Sequence, residues 1–575
     1  MNPVNRAQMK EFSEAFGLTD KSDSDQFELY SIYSIINGGS GENIEPFDAH
    51  LSGTEFGLDG VAIIVQGDLV RDADEAANAL EEVKNPQIDF YFFQAKTSSG
   101  FDYGEASKFF DGVKGFFAGH MTKESAQISD LFGAMKVIYE SGVKKQNPGI
   151  HCFYASTGNY ESQAKLERLI ENTRNDLAEL NIFDETRTEI SMIGAGQLQR
   201  LYRAASTASD VTIEFDKAVV LPEHPSVEEG YIGYLPASEL LKVISIYDDQ
   251  GNITSIKRAI FHDNIRDFNP TSKINVEISS NLKAGEGDNF VYRNNGITVV
   301  AKSIDRTGNK FTIEDYQIVN GCQTSNILFI NRDTSDGVNV PFRLIGTKNE
   351  EFIFSIISGT NKQNQVRDEQ FWSLLPFMKN LEEYSRNTEA SQRIFLERRE
   401  NQYRSESIER SRILQMQPLF KAVTAGLLGA PHRAARNYRS EISDKVTSVF
   451  GENSDVRPAY AAAYLHYRLE FLWRNQKIPA ATKIYRYFII DAVCRSFLGQ
   501  RSFTSLSAKE IIKFSDDVVK MASDEPKLIA RVNEVCAILD KRIADSGISD
   551  SRERLRDMIR SDSFAKEVRA QYTPQ

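Results

Sequence analysis

Apolar and polar positions change their rhythm twice along the chain. Up to about residue 208, stretches of helical period alternate with short β-rich runs. The pattern predicts helices over about Asp25–Ile36, Glu105–His120, Glu124–Tyr139, Gln163–Leu180 and Gly196–Ala204. Strands are expected between them at Val61–Val65, Ile88–Lys96, Ile150–Ala155 and Glu189–Ile193. Such interleaving marks an α/β unit. From about 209 to 430 the pattern is richer in β and carries Asn295-Gly296 and Asn320-Gly321, pairs that tolerate positive φ and commonly make tight turns. Residues 431–575 read as helices, and Tyr460, Ala463, Tyr464, Tyr467 and Phe471 recur with the helical period, which predicts one apolar stripe turned into a core. The expected fold class is α/β multidomain, with an α/β sandwich over 1–208, an α+β unit over 209–430 and an all-α region over 431–575.

Composition narrows the picture. The 575 residues, 41% hydrophobic and 26% charged, suit several buried cores. The longest unbroken apolar run, Ala459–Leu465, falls far short of the roughly 18 residues a bilayer-crossing helix needs. Residues Met1–Lys10 contain no apolar stretch of the signal-peptide kind, so a cytoplasmic protein without a membrane partner is expected. The net charge of −13 excludes a bulk nucleic-acid coat, and any hold on phosphates then requires a local basic region or a bound cation. Cys152, Cys322, Cys494 and Cys536 are scattered, none at zinc-site spacing, and read as reduced, buried thiols.

Candidate chemistry concentrates in the first 100 residues. Asp59 lies between Gly57 and Gly60 at the mouth of the Val61–Val65 strand. The next strand ends in Gln94-Ala95-Lys96, where alternation puts Gln94 and Lys96 on one face. If the two strands are neighbours, Asp59, Gln94 and Lys96 converge. Glu28 shares a helix face with Ile32 and Ile35, and a carboxylate turned inward needs a cationic partner. A hard divalent ion such as Mg²⁺ would meet that need. The plain alternative is a surface aspartate with a strand-end lysine reaching to solvent.

This arrangement resembles the PD-(D/E)xK nuclease superfamily, most closely its Mrr-like restriction-endonuclease branch. The resemblance covers about 200 residues, including the later helix–strand–helix–strand succession. It departs from the family pattern at Gln94, where glutamate is commoner, and in lacking a proline before Asp59. It implies a restriction-endonuclease-like sandwich and a metal-dependent endonuclease using Mg²⁺ or Mn²⁺. Asp59, the Gln94 oxygen and the Ala95 carbonyl would ligate the ion, Glu28 would hold a metal water or a second cation, and Lys96 would orient the attacking water or stabilise developing charge.

A second set of motifs lies in the middle unit: Tyr292-Arg293-Asn294-Asn295-Gly296, Gln317–Ser325, Phe261–Arg266, Gly359–Asn364 and Phe395–Tyr403. In this order they resemble the AIPR family, named for abortive-infection phage resistance. The resemblance implies an anti-phage context and no catalytic residues. Asn294, Asn295, Asn320, Gln323, Thr324 and Asn361 form an amide- and hydroxyl-rich cluster for which a scaffold network and a ligand pocket both remain open.

Between Arg393 and Arg439 ten basic residues face four acidic ones. Arg398, Arg399, Arg404, Arg433 and Arg436 are candidates for phosphate contacts, with Tyr403 and Tyr438 placed to stack on bases. A solvated helix face with i, i+4 pairs, such as Arg393 with Glu397, is the alternative. Together these features lead to the expectation of a bacterial anti-phage nuclease acting on nucleic acid, DNA before RNA. A phage trigger or a neighbouring regulatory protein, and a homodimer, are compatible partners. The competing expectation is a non-catalytic sensor or regulatory subunit of a defence system.

Overall fold

The computed structural model describes the chain except residues 41, 43, 52–56, 82–85, 121–124, 144–145, 207–209, 248–250, 258–259, 262–272, 350–351, 354, 357–371, 374, 399–401, 404–405, 407, 444, 446–448, 453, 548–551 and 574–575. The mixed α/β class expected from the sequence is found.

The opening unit runs α1 (Pro3–Ala15), α2 (Asp23–Tyr33), α3 (Pro46–Ala49), β1 (Gly60–Val65), β2 (Asp68–Val70), α4 (Ala73–Leu80), β3 (Ile88–Lys96), α5 (Tyr103–Phe117), α6 (Ala126–Val137), β4 (Gly149–Ser156), α7 (Ala164–Glu179), β5 (Thr188–Ile193) and α8 (Ala195–Ser206). Its strands form one sheet in the order β2-β1-β3-β4-β5. β1 is antiparallel to both β2 and β3, whereas β3, β4 and β5 run parallel, each joined to the next through helices. Both faces of the sheet are covered, which explains why β1 and β3 read as continuous apolar runs. Val61, Ile63, Phe90 and Phe92 enter a core with α5 and α6; Ala62, Ile64, Tyr91 and Phe93 enter another with α1, α2 and α8.

A six-stranded sheet follows, built from β6 (Asp210–Glu214), β7 (Val219–Val220), β8 (Glu229–Pro236), β11 (Ile297–Thr307), β12 (Lys310–Asn320) and β13 (Asn339–Gly346) in the order β6-β12-β11-β13-β8-β7. The helices α9 (Ala237–Ile244), α10 (Lys273–Lys283), α11 (Phe290–Arg293) and α12 (Cys322–Ile330) and a small pair, β9 (Ser245–Tyr247) with β10 (Ile253–Ile256), accompany it. The β11–β12 hairpin closes at Gly308-Asn309, between the paired Thr307 and Lys310. The two Asn-Gly pairs lie elsewhere: Gly296 precedes β11 and Gly321 caps α12. Gly321 has φ +103° and a Cβ there would stand 2.6 Å from Ile297 Cγ1. Gly321→Ala is therefore expected to cost about 1–3 kcal/mol, seen as a lowered thermal midpoint.

Residues from Trp372 to Tyr572 share one helical core. The helix Pro376–Arg386 and the helix Met416–Gly426, assigned from the sequence to the β-rich unit, pack with the later helices. The β-rich pattern stops at β13, and apolar residues such as Phe377, Leu381 and Leu419 have their partners further on, so the boundary expected at residue 430 falls inside this core. The stripe on the helix Arg457–Arg474 lies in it as expected, with Tyr460, Ala463, Tyr464 and Tyr467 buried. No helix among the described residues is long and apolar enough to cross a membrane.

Candidate metal centre

Pairing of β1 with β3 sets Gly60 opposite Phe93, which places Asp59 across from the end of β3. The Asp59 backbone N–H donates to the Phe93 carbonyl at 2.8 Å and fixes the residue there. Its side chain is almost fully buried. Asp59 Oδ2 accepts from the Gln94 amide and from the Ala95 N–H, the latter at 2.8 Å. That leaves two acceptor oxygens, Asp59 Oδ1 and Gln94 Oε1, buried with no donor. An unpaired buried acceptor is costly, and two such oxygens on hydrogen-bonded neighbours are candidate ligands for a cation. The donor set consists of hard oxygens, so it fits Mg²⁺ or Mn²⁺.

Lys96 follows at the strand end, and its ammonium is paired with Glu105 in the first turn of α5 at 3.1 Å. Glu28 comes from α2, on the opposite side of the sheet. Buried as expected, it meets His50 Nε2 at 2.7 Å and accepts from the Ser24 hydroxyl. His50 ends α3, forms a bridge to Gly60 and accepts at its carbonyl from Gln127. One ligand atom each from Asp25, Glu28 and His50 lie within 4.8 Å of one another. Asp25, His50 and Glu105 carried no signal in the sequence: no motif or periodicity joins them to Asp59, and only the chain's path past β1 and onto α5 does so.

Burial, and then the field of Glu28, pushes the Asp59 carboxyl up to about 6 from its ordinary 3.8, against the Ala95 N–H, Lys96 and His50. A raised carboxyl favours folding below about pH 4, and the benefit is lost as pH rises through 6. In EDTA, Asp59→Asn is therefore expected to raise the thermal midpoint at pH 8, by about 2–3 kcal/mol of stability, and to leave it unchanged at pH 4. Melting curves at the two pH values check this.

Residues 261–542 match a family model described as AIPR protein. The chain carries an AIPR region. No curated protein and no solved structure matches the chain. The AIPR region begins within the second unit and extends through much of the helical core, beyond the span of 209–430 expected from the sequence. Every donor of the candidate metal centre precedes it.

Within the AIPR region Asn294, Thr324 and Gln323 of the polar cluster bond to neighbouring elements. Asn294 Oδ1 accepts from the Gly296 N–H and from the Thr324 hydroxyl, both at 2.9 Å, which ties the start of β11 to α12. Gln323 accepts from Asn275 on α10. Asn295 is exposed, Asn320 ends β12, and Asn361 lies outside the described residues.

Among the described residues of the basic stretch, most of the arginines have acidic or carbonyl partners within the protein. Arg398 is buried against Glu382 and also donates to the Ser373 carbonyl. Arg433 pairs with Glu441, whereas Arg436 is exposed, and Arg399 and Arg404 lie outside the described residues. Tyr403 and Tyr438 are completely buried and offer no face to a base. Residues 395–397 are a strand and 410–412 a 3₁₀ turn, and Glu406 pairs with Arg386, so the described residues around Arg393, Glu397 and Arg410 do not form one helix face.

Proposed function

We propose that this chain is a divalent-metal-dependent nuclease of an abortive-infection defence, cutting phosphodiester bonds of nucleic acid, DNA before RNA. The observation that carries the reading is the pair of buried, donorless oxygens on Asp59 and Gln94 beside a strand-end ammonium. The AIPR region supports the defence context. The resemblance of the opening unit to PD-(D/E)xK nucleases supports the chemistry, with β1, β3, β4 and β5 in the expected succession.

In this reading Asp59 and Gln94 hold a Mg²⁺ or Mn²⁺ ion, with the Ala95 carbonyl as a further oxygen donor and Glu28 holding a metal water or a second cation. The bound ion supplies charge that polarises a phosphoryl oxygen and acidifies water. The chain's own part is orientation. The Ala95 N–H and the Gln94 amide turn one edge of the Asp59 carboxylate away and leave the other edge open. Lys96, steered by Glu105, sets an ammonium where negative charge develops. The test is incubation of plasmid, linear duplex and RNA with purified protein and Mg²⁺ or Mn²⁺. Cleavage that EDTA and Asp59→Ala both abolish is the expected result, and cleavage that survives Asp59→Ala overturns it.

One observation favours the second reading, a non-catalytic sensor: the Lys96 charge is already matched by Glu105. Nucleic-acid binding without cleavage under all these conditions is what a sensor would give.

A further inference from the structure

Asp25, Glu28 and His50 stand apart from the Asp59–Gln94 pair, and we propose that they form a second divalent-cation site, one that takes Mn²⁺ or another first-row transition ion in preference to Mg²⁺. For its role in cleavage the inference rests on the nuclease reading above; the site itself is argued from its own donors.

The first argument is geometric. An ion with bonds of about 2.1 Å sets adjacent ligand atoms about 3 Å apart and opposite ones about 4.2 Å apart. Glu28 Oε2 and His50 Nε2 are 2.7 Å apart, close to the adjacent spacing. The outer limit of 4.8 Å for the set closes with a side-chain shift of well under an ångström. The donors are also held in place. Asp25 and Glu28 are one turn apart on α2, and the Asp25 N–H is capped by Ser22. His50 is fixed by its bridge to Gly60 and by Gln127.

The second argument is charge. Asp59, almost fully buried and with its Oδ1 lacking a donor, lies within the fields of both Glu28 and His50. Asp25, Glu28 and Asp59 thus bring three carboxylates to one end of the sheet, and the nearby Lys96 is shared with Glu105. A divalent ion balances such a set far better than one imidazole does. The third argument is ligand chemistry: an imidazole among carboxylates suits transition ions, whereas Mg²⁺ prefers oxygen alone.

The experiment is Mn²⁺ titration of the full-length protein, with free Mn²⁺ followed by electron paramagnetic resonance and Mg²⁺ added as competitor. The wild type is expected to bind two Mn²⁺, one of them poorly displaced by Mg²⁺. His50→Gln and, independently, Asp25→Asn should weaken that one by about tenfold or more, since even an outer-shell partner is worth that much. His50→Lys sets a positive charge facing Glu28 but offers no imidazole, so it should lose the same ion. Asp59→Asn should lose the Mg²⁺-exchangeable one. Unchanged binding in both His50→Gln and Asp25→Asn overturns the inference, as does a wild type that binds a single ion sensitive only to Asp59→Asn. If Asp59→Asn keeps both ions while His50→Gln loses one, the His50 site stands and the Asp59–Gln94 reading fails. Should a His50 variant not fold, as judged by circular dichroism, Asp25→Asn at the helix surface decides alone.

Discussion

Lys96→Ala is expected to slow Mg²⁺-dependent cleavage by about 10²–10³-fold, the usual loss when one preorganised group that meets developing charge is removed. The chain spends structure on placing this ammonium. It follows eight buried residues of β3, sits two positions from Gln94 on the same face, and is held by Glu105 from α5. Metal affinity should be untouched, because the donorless oxygens belong to Asp59 and Gln94. Single-turnover cleavage of a labelled duplex at saturating Mg²⁺ reads the first effect and Mg²⁺ titration the second. Wild-type cleavage by Lys96→Ala would move the chemistry away from β3. Glu105→Gln gives the complementary result, a smaller change, since it releases the lysine without deleting it.

The second large effect concerns the contact between the opening unit and the helical core. Glu75 on α4 is bound by Arg71 at 2.7 Å and faces Lys421, a lysine only 2% exposed, at 3.7 Å. Burial alone would raise the Glu75 carboxyl, but Arg71 and then Lys421 outweigh it and hold the group well below the usual carboxylate range. Glu75→Ala leaves Lys421 buried without its acid, while Arg71 keeps Asp48 at 2.9 Å. A loss of about 3 kcal/mol is expected, typical of an uncompensated buried charge. Lys421→Met introduced into Glu75→Ala should recover most of it, because the stranded charge is then gone. Thermal unfolding of the two variants beside the wild type measures both effects. An equal midpoint for single and double variants would show that the lysine finds another partner.

What could be read from the sequence follows a physical rule. β3 was legible to the residue because its aromatic run Phe90–Phe93 ends in Gln94-Ala95-Lys96, and both faces of that strand are buried. β2 and α3, three and four residues long, are too short to show any period. At the candidate centre, Asp59, Gln94 and Lys96 were legible because strand alternation is local. His50 was not, because its approach to Glu28 depends on a bridge to Gly60 that no local rule encodes. The arginine-rich stretch meets the same limit. A net charge is visible in sequence, but the acids that answer it, such as Glu382 for Arg398 and Glu441 for Arg433, are revealed only by packing.

Arg556 reaches Asp130 and Arg560 reaches Asp74, while Arg439 donates to the Asn78 carbonyl, so residues distant in sequence supply partners to the opening unit. Detached from residues 439–560, the opening unit would therefore keep Asp74 and Asp130 without the arginines that answer them, so its acidic groups are neutralised only within the whole fold.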